Sequence, residues 1–382
     1  MAARLAQETD LSELRDQLAS ASRVAIDTEF HAERRYWPEL FLVQIQVPGA
    51  DAWIVDPLVE GLLQDLAEAL AGVPWLVHGG SQDLRLLIRA LGRLPEDIVD
   101  TQIGSGLCGE RYPQGYGSLM QEHLGLTLPK SATLSDWSRR PLSREQLAYA
   151  IDDVARLPAL WQAIVDKVHA ADREQLLSGA CHAFREASIT EQEPTTAWRR
   201  FQAAAGMTPV QLAVLREVCA WREAAAQDGN VPPRAILSDG VVVELAKRPP
   251  PTAERLLANR RFPRNARKHV PELVRCVQRG LACADPPRFV TRHTTPWRTA
   301  ATLRAWSLVE GHHHQWAPNL VLPPQLIDDL VLAWPADRSA LAAALGPWRD
   351  PLIGDHLWAF WSGHTSLSLT NGRAQSPSAP AH

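Results

Sequence analysis

The chain has 382 residues, of which 46% are hydrophobic and 21% charged, with a formal net charge of −4. That length exceeds one ordinary core, so two or three domains are expected, and no apolar run approaches the roughly 20 residues that span a bilayer. The five cysteines (Cys108, Cys181, Cys219, Cys276, Cys283) are scattered without a CxxC pair, which argues against a metal knuckle or a disulfide framework and for reduced thiols in a cytosolic protein with neither membrane nor disulfide-linked partner. The N-terminal MAARLAQETDLSELRDQL carries acids and no continuous apolar stretch, unlike a secretory leader.

In chain order, RVAIDTEF and LFLVQIQV read as strands joined by a connection containing Pro38, and AWIVDP reads as a third, bounded by Pro57 and Gly61. LLQDLAEALAG is a helix ended by Gly72, and WLVHG is a short strand. SQDLRLLIRALG is a helix with Ser81 as N-cap and Gly92 as terminator, and DIVDTQI is extended. In LSREQLAYAIDDVARL, Ser143 followed by Gln146 forms a capping-box pattern that starts a helix near residue 144. Strands followed by crossover helices predict an α/β layer with a mixed sheet.

From about residue 200 the periodicity is helical throughout. TPVQLAVLREVCAWREAAAQ begins with Thr208 as cap and Pro209 at the first helical position. A looser copy follows from about residue 300, with Asn, Pro-Pro, an aliphatic helix and Pro recurring in the same order. The tail NGRAQSPSAPAH has nothing to bury and reads as disordered. Charge divides along the same lines, with 21 acids against 13 Lys and Arg over residues 1–150 but 8 against 15 over residues 195–285. A basic segment behind an acidic one suits a polyanionic partner.

The chemistry is concentrated in acids. Side chains alternate along a strand, so Asp27 and Glu29 project from one face of VAIDTEF. Asp83 opens one helix, where an acid also suits the helix dipole, and Tyr149 and Asp153 share a face of another. Carboxylates converging at one sheet edge suit hard divalent cations such as Mg²⁺ or Mn²⁺. A pair of such ions ~3.5–4 Å apart is the usual device for phosphodiester cleavage.

Asp-x-Glu on the first strand, Asp83 at the end of the VHGGSQD stretch, and Tyr149-x-x-x-Asp153 resemble the three motifs of the DEDD exonucleases, in the subgroup with Tyr in the third motif. AIDTEF, YWPELFLVQIQ, VHGGSQDL, DTQI and YAIDDV, in that order, are similar to the ribonuclease D family, and AVLREVCAWREAAAQ…VPPRAILSDGVVVELAK resembles an HRDC domain. The resemblance implies an α/β RNase H-like (DnaQ-type) exonuclease domain over residues 1–190, two all-α HRDC-type domains over 200–285 and 297–370 (the second degenerate), and a disordered tail over 371–382. It also implies a metal-dependent 3′→5′ exoribonuclease that trims RNA with a single-stranded 3′ end, tRNA precursors in particular, releasing nucleoside 5′-monophosphates. Asp27, Glu29, Asp83 and Asp153 match the family's ligands for two Mg²⁺ or Mn²⁺ ions, and Tyr149 matches the residue that orients the attacking water. Asp152 does not fit the spacing. Phe30 and His78 are candidate contacts to the last nucleotide, and Lys130 matches a family lysine placed to neutralise a phosphate. A DNA exonuclease of the proofreading type and a catalytically silent RNA-binding protein are the alternatives; no polymerase domain accompanies the first, and the full set of motif residues argues against the second.

Three stretches stand apart. ERRYWPEL interleaves Arg34 and Arg35 with Tyr36 and Trp37, which suits single-stranded nucleic acid as well as a surface loop with a buried Trp. NRRFPRNARKHV offers Arg260, Arg261 and Arg264 for phosphate contact. GHHHQW carries adjacent histidines that share no face and reads as a solvated helix end.

Overall fold

The computed structural model describes residues 3–6, 11–109, 111–128, 136–190, 193–258, 262–288, 295–370 and 373–375. They pack as two units, one of residues 1–30, 40–190 and 301–382, the other of residues 31–39 and 191–300. No helix among the described residues is long and apolar enough to cross a membrane.

The first unit is built on a six-stranded sheet of β1 (Ala3–Ala6), β2 (Val24–His31), β3 (Glu39–Gln46), β4 (Ala52–Val55), β5 (Trp75–Val77) and β6 (Ile98–Asp100) in the order β1-β4-β3-β2-β5-β6. β4 runs parallel to β1 and antiparallel to β3, while β5 is parallel to both β2 and β6. This is the mixed sheet that alternating strands and helices predicted. β4 and β5 are buried at every position, which explains why they read as continuous apolar runs. Leu14, Leu18, Leu62, Leu66, Leu84 and Leu87 from three helices close over Val24, Ile26, Val43, Ile45, Trp53 and Trp75. The helices Arg144–Ala155 and Leu157–Ala170 pack against β4 and β5.

Local rules place most boundaries. Ser143 Oγ accepts from the Gln146 amide at 3.2 Å and Gln146 Oε1 accepts from the Ser143 amide at 2.9 Å, so the helix starts at Arg144. Gly92 ends the helix Ser81–Leu91 in the left-handed region, at φ 74°. Two expectations change. Ser81 lies inside its helix, and Gly80 occupies the cap because its amide is already taken by Asp100 Oδ2 at 3.0 Å. DIVDTQI is extended only to Asp100; that side chain then caps a helix, Thr101–Leu107, by accepting from the Gln102 amide at 2.7 Å. β1 and the helix Leu11–Ser20 carried no signal that the sequence reading used.

Arg140 clamps the loop before the Tyr149 helix. Its guanidinium forms a fork with Asp56 at the end of β4 (Nη2 to Oδ1, 2.8 Å) and donates to the carbonyls of Phe41 at 3.0 Å and Trp137 at 2.8 Å. Asp56 is 8% exposed. Removing the cation leaves a desolvated carboxylate, so Arg140→Met should destabilise the first unit by about 3 kcal/mol, read as a lower urea midpoint at unchanged slope.

The second unit is helical, with a core of Leu212, Leu215, Val218, Val242, Leu245, Leu273 and Val277. Thr208 caps its first long helix reciprocally with Gln211, and Pro209 is the first helical residue. Buried Arg222 reaches Asp239 at 2.8 Å and lies 5.2 Å from the Phe201 ring centre. The segment 31–39 belongs here: the Trp37 amide donates to Asn230 Oδ1 at 3.0 Å, and Tyr36 accepts from Gln227 at 3.1 Å.

The repeat read from the sequence recurs as structure. Helices of 20, 4, 9, 5 and 12 residues starting at Pro209 are matched by helices of 20, 4, 10, 8 and 12 residues starting at Thr295. Residues 301–382 nonetheless group with the sheet. The Ala317 amide donates to the Gly106 carbonyl at 2.7 Å, and a Cβ at Gly106 would meet Leu320 at 2.8 Å. Part of the tail also departs from expectation, since β8 (Arg373–Gln375) pairs antiparallel with β7 (Ser368–Thr370). Backbone pairing needs no buried side chain, and the intervening Asn-Gly is a hairpin signal. The other residues of 371–382 lie outside the described residues.

Candidate active site

β2 delivers the first acids at its C-terminal half. Its burial alternates beyond Ile26, with Thr28 buried and Asp27 and Glu29 half-buried. One oxygen each from Asp27, Glu29 and Asp153 lie within 4.8 Å of one another. Burial first, then the Asp83, Asp153 and Glu29 carboxylates, hold the Asp27 carboxyl well above its ordinary range. Burial first, then the Asp153 and Asp83 carboxylates, push Glu29 to about 8, against a hydrogen bond from Gln44. Asp153 rises to about 6, chiefly through burial and against a hydrogen bond from the Tyr149 hydroxyl. Crowded carboxylates raised in this way are in an environment that favours added positive charge.

Asp83 approaches from the other side. Thr28, whose side chain alternates with those of Asp27 and Glu29, donates its hydroxyl proton to Asp83 Oδ1. Val24 and Ile26 share that face and pack in one core with Leu84 and Leu87 of the Asp83 helix. Asp83 is therefore outside the group of three oxygens, but close enough to raise both Asp27 and Glu29. The turn that aims it uses two glycines: Gly79 has φ 61°, and a Cβ on Gly80 would meet Val77 at 2.7 Å. Buried Asp100 anchors this turn through the Gly80 amide.

Tyr149 lies half-buried one helical turn before Asp153, its ring 6.0 Å from that of Trp137. Burial and the Asp153, Glu29 and Asp27 charges push its pKa upward, so the phenol is a proton donor at neutral pH. Tyr149→Phe keeps the ring and removes the donor. It should lower kcat by about 10²-fold while changing the divalent-ion concentration for half activity by less than about threefold. Asp152 turns away, paired with Arg156 at 2.9 Å.

His78 is deeply placed and burial lowers its pKa to about 4, leaving a neutral imidazole; Nδ1 lies 2.7 Å from Thr101 Oγ1. Phe30 is half-buried at the end of β2. Lys130, Arg260 and Arg261 lie outside the described residues, and Arg264 is exposed in the second unit on the 3₁₀ turn Arg264–His269. The sequence reading missed Tyr116. Its ring centre is 5.4 Å from that of His78, its hydroxyl donates to the Asp152 carbonyl at 3.3 Å, and burial first, then the charges of Asp153, Asp152 and Asp27, raise its pKa. Nothing in RYPQGYGS sets that tyrosine apart from a surface one. Thr28 and Gln44 were also missed; both follow from strand alternation once the partners of Asp83 and Glu29 are known.

An oxygen-only set of crowded carboxylates, with no thiol or imidazole among them, fits hard divalent cations. Three half-buried members leave the site open to a substrate.

Residues 4–169 match a family model described as 3′-5′ exonuclease, and residues 211–277 match the HRDC domain. Ribonuclease D of Nitrobacter hamburgensis is 31% identical over 374 residues, covering 95% of this chain and 96% of that protein. Ribonuclease D of Xanthomonas oryzae pv. oryzae is 36% identical over 359 residues, covering 90% and 95%. The crystal structure of Escherichia coli RNase D, an exoribonuclease involved in structured RNA processing, shares the fold with a TM-score of 0.77 at 23% identity, over 94% of this chain and 98% of that one.

Proposed function

The chain belongs to the ribonuclease D family of 3′→5′ exoribonucleases, and from that membership we propose that it trims the single-stranded 3′ ends of structured RNA, tRNA precursors among them, to release nucleoside 5′-monophosphates. Exonucleases of this kind use divalent metal ions. We assign two such ions, Mg²⁺ or Mn²⁺, to Asp27, Glu29, Asp83 and Asp153; when bound, they neutralise phosphate charge and acidify water. The observation that carries this reading is the convergence of three carboxylate oxygens within 4.8 Å beside a tyrosine donor.

The protein's own groups then have distinct tasks. Tyr149, held by its hydrogen bond to Asp153, orients the attacking water without serving as a base, since its phenol keeps its proton. Neutral His78 and the Tyr116 ring beside it offer a face for the terminal base and a hydrogen bond for its sugar. Phe30 adds an apolar edge. We assign residues 1–190 to the nuclease, 200–285 to one HRDC domain and 297–370 to a degenerate second. We assign Arg260, Arg261 and Arg264 in the basic stretch, and Lys130, as phosphate contacts.

Matched RNA and DNA oligonucleotides with labelled 3′ ends, with and without an unpaired tail, test the reading in Mg²⁺ or Mn²⁺. Stepwise release of labelled mononucleotide from tailed RNA supports it. Intact RNA, or faster digestion of DNA, overturns it.

A further inference from the structure

A second group of metal-ligating side chains lies away from the nuclease carboxylates, in the helices that follow residue 295. Glu310 and His314 stand one turn apart on the helix Thr295–His314, and His356 comes from the helix Asp350–Trp361. His314 Nε2 and His356 Nδ1 each lie 3.3 Å from Glu310 Oε2. The two nitrogens and a carboxylate oxygen are mutually within 4.8 Å. The adjacent histidines do not join: His312 and His313 are exposed, as helical spacing requires.

The arrangement is built rather than incidental. Glu310 is 5% exposed, and its partners among the described residues are these two imidazoles. The imidazoles are 37% and 40% exposed, so the carboxylate forms the floor and the rings the mouth. One turn earlier along the first helix and one turn later along the second, Trp306 stacks on Phe360 at 5.8 Å with 21° between planes, which fixes the two helices side by side. At the other end Arg173 donates to the carbonyls of His314 at 2.6 Å and Gln315 at 2.9 Å, which holds the last turn in place.

We propose that Glu310, His314 and His356 form a transition-metal site of the zinc class that pins the two helices together. Two imidazoles and one carboxylate suit Zn²⁺ and its first-row neighbours, and three protein ligands with an open side leave a position for water. Mg²⁺ does not compete, because it favours oxygen and gives up its waters reluctantly. The two sites thus divide by donor chemistry: oxygen-only at Asp27, Glu29 and Asp153, nitrogen-rich here. Substituting either histidine removes a ligand without opening the core, since both rings are partly exposed.

The test uses the full chain, stripped of metal by a chelator and titrated with Zn²⁺ alone by calorimetry in excess Mg²⁺. An Asp27→Asn background disables the nuclease site, so that it does not contribute zinc binding. One zinc per chain is expected in that background, and adding His356→Ala or His314→Ala should weaken it by ~10²-fold or more, beyond the loss caused by a mere supporting residue. Bound Co²⁺ should give visible absorption that the same substitutions abolish, while His356→Ala alone leaves Mg²⁺-dependent RNA trimming unchanged. Equal zinc affinity with and without His356, or no zinc bound at micromolar concentration, would mean a hydrogen-bonded carboxylate only and overturn the proposal. Circular dichroism matching the parent assigns a loss of zinc to the ligand and not to unfolding.

Discussion

Asp27→Asn is expected to lower exoribonuclease turnover by on the order of 10³-fold or more. Asp27 is the residue on which Asp83, Asp153 and Glu29 all act, so it is the centre of the acidic group and not one of its edges. The amide keeps the shape of the side chain and removes its charge, which takes away a proposed metal ligand while sparing β2. Asp152→Asn is the matched control. It sits next to Asp153 but pairs outward with Arg156, so its turnover should stay within about twofold of the parent. Single-turnover release of the labelled 3′ nucleotide in saturating Mn²⁺ measures both. Asp27→Asn activity within tenfold of the parent would show that the acids do not act as one site.

The same substitution should stabilise the metal-free protein at high pH. In the folded state the Glu29 carboxyl titrates near 8 instead of 4.5, and Asp153 near 6 instead of 3.8. Between those values the folded chain keeps protons that the unfolded chain has released, so stability falls as pH rises. The contribution is fully present below about pH 4 and lost by the time pH passes the folded values, with most of the Glu29 part disappearing between about 4.5 and 8. Metal-free protein is therefore expected to melt lower at about pH 8.5 than at about pH 6 from this cluster. Water reaching the half-buried carboxylates reduces the effect, so Asp27→Asn should recover about 1–2 kcal/mol at the higher pH, or roughly 2–4 °C per kcal/mol. Mn²⁺ at about 100 times its dissociation constant adds about 2.7 kcal/mol to the parent and much less to the variant. The measurement is a pair of thermal melts with chelator across that pH range. A variant that melts below the parent at high pH, or a parent whose stability climbs with pH, would refute the electrostatic account.

Both results depend on a site that local sequence only half describes. Alternation along VAIDTEF places Asp27 and Glu29 on one face, and the i, i+4 spacing pairs Tyr149 with Asp153; each requires only the period of its own element. The capping boxes at Ser143 and Thr208 are similarly local, and both helices begin where those pairs put them. Ser81 fails as a cap because Asp100, nineteen residues later in the chain and one strand over in the sheet, claims the Gly80 amide. Tyr116 goes unnoticed because its neighbours at the site, His78 and Asp153, are distant in sequence and share no repeat with it.

The amino-acid order by itself determined the mixed α/β layer, the tandem helical layout and the shared faces of Asp27 with Glu29 and of Tyr149 with Asp153, because periodicity, caps and motif spacing are encoded within a turn or a strand. Only the tertiary structure decided that Asp83 meets the others from the opposite face through Thr28, that residues 31–39 join the helical unit, and that Glu310, His314 and His356 converge. Those outcomes depend on strand order and helix packing between residues far apart along the chain. No window of sequence contains that information.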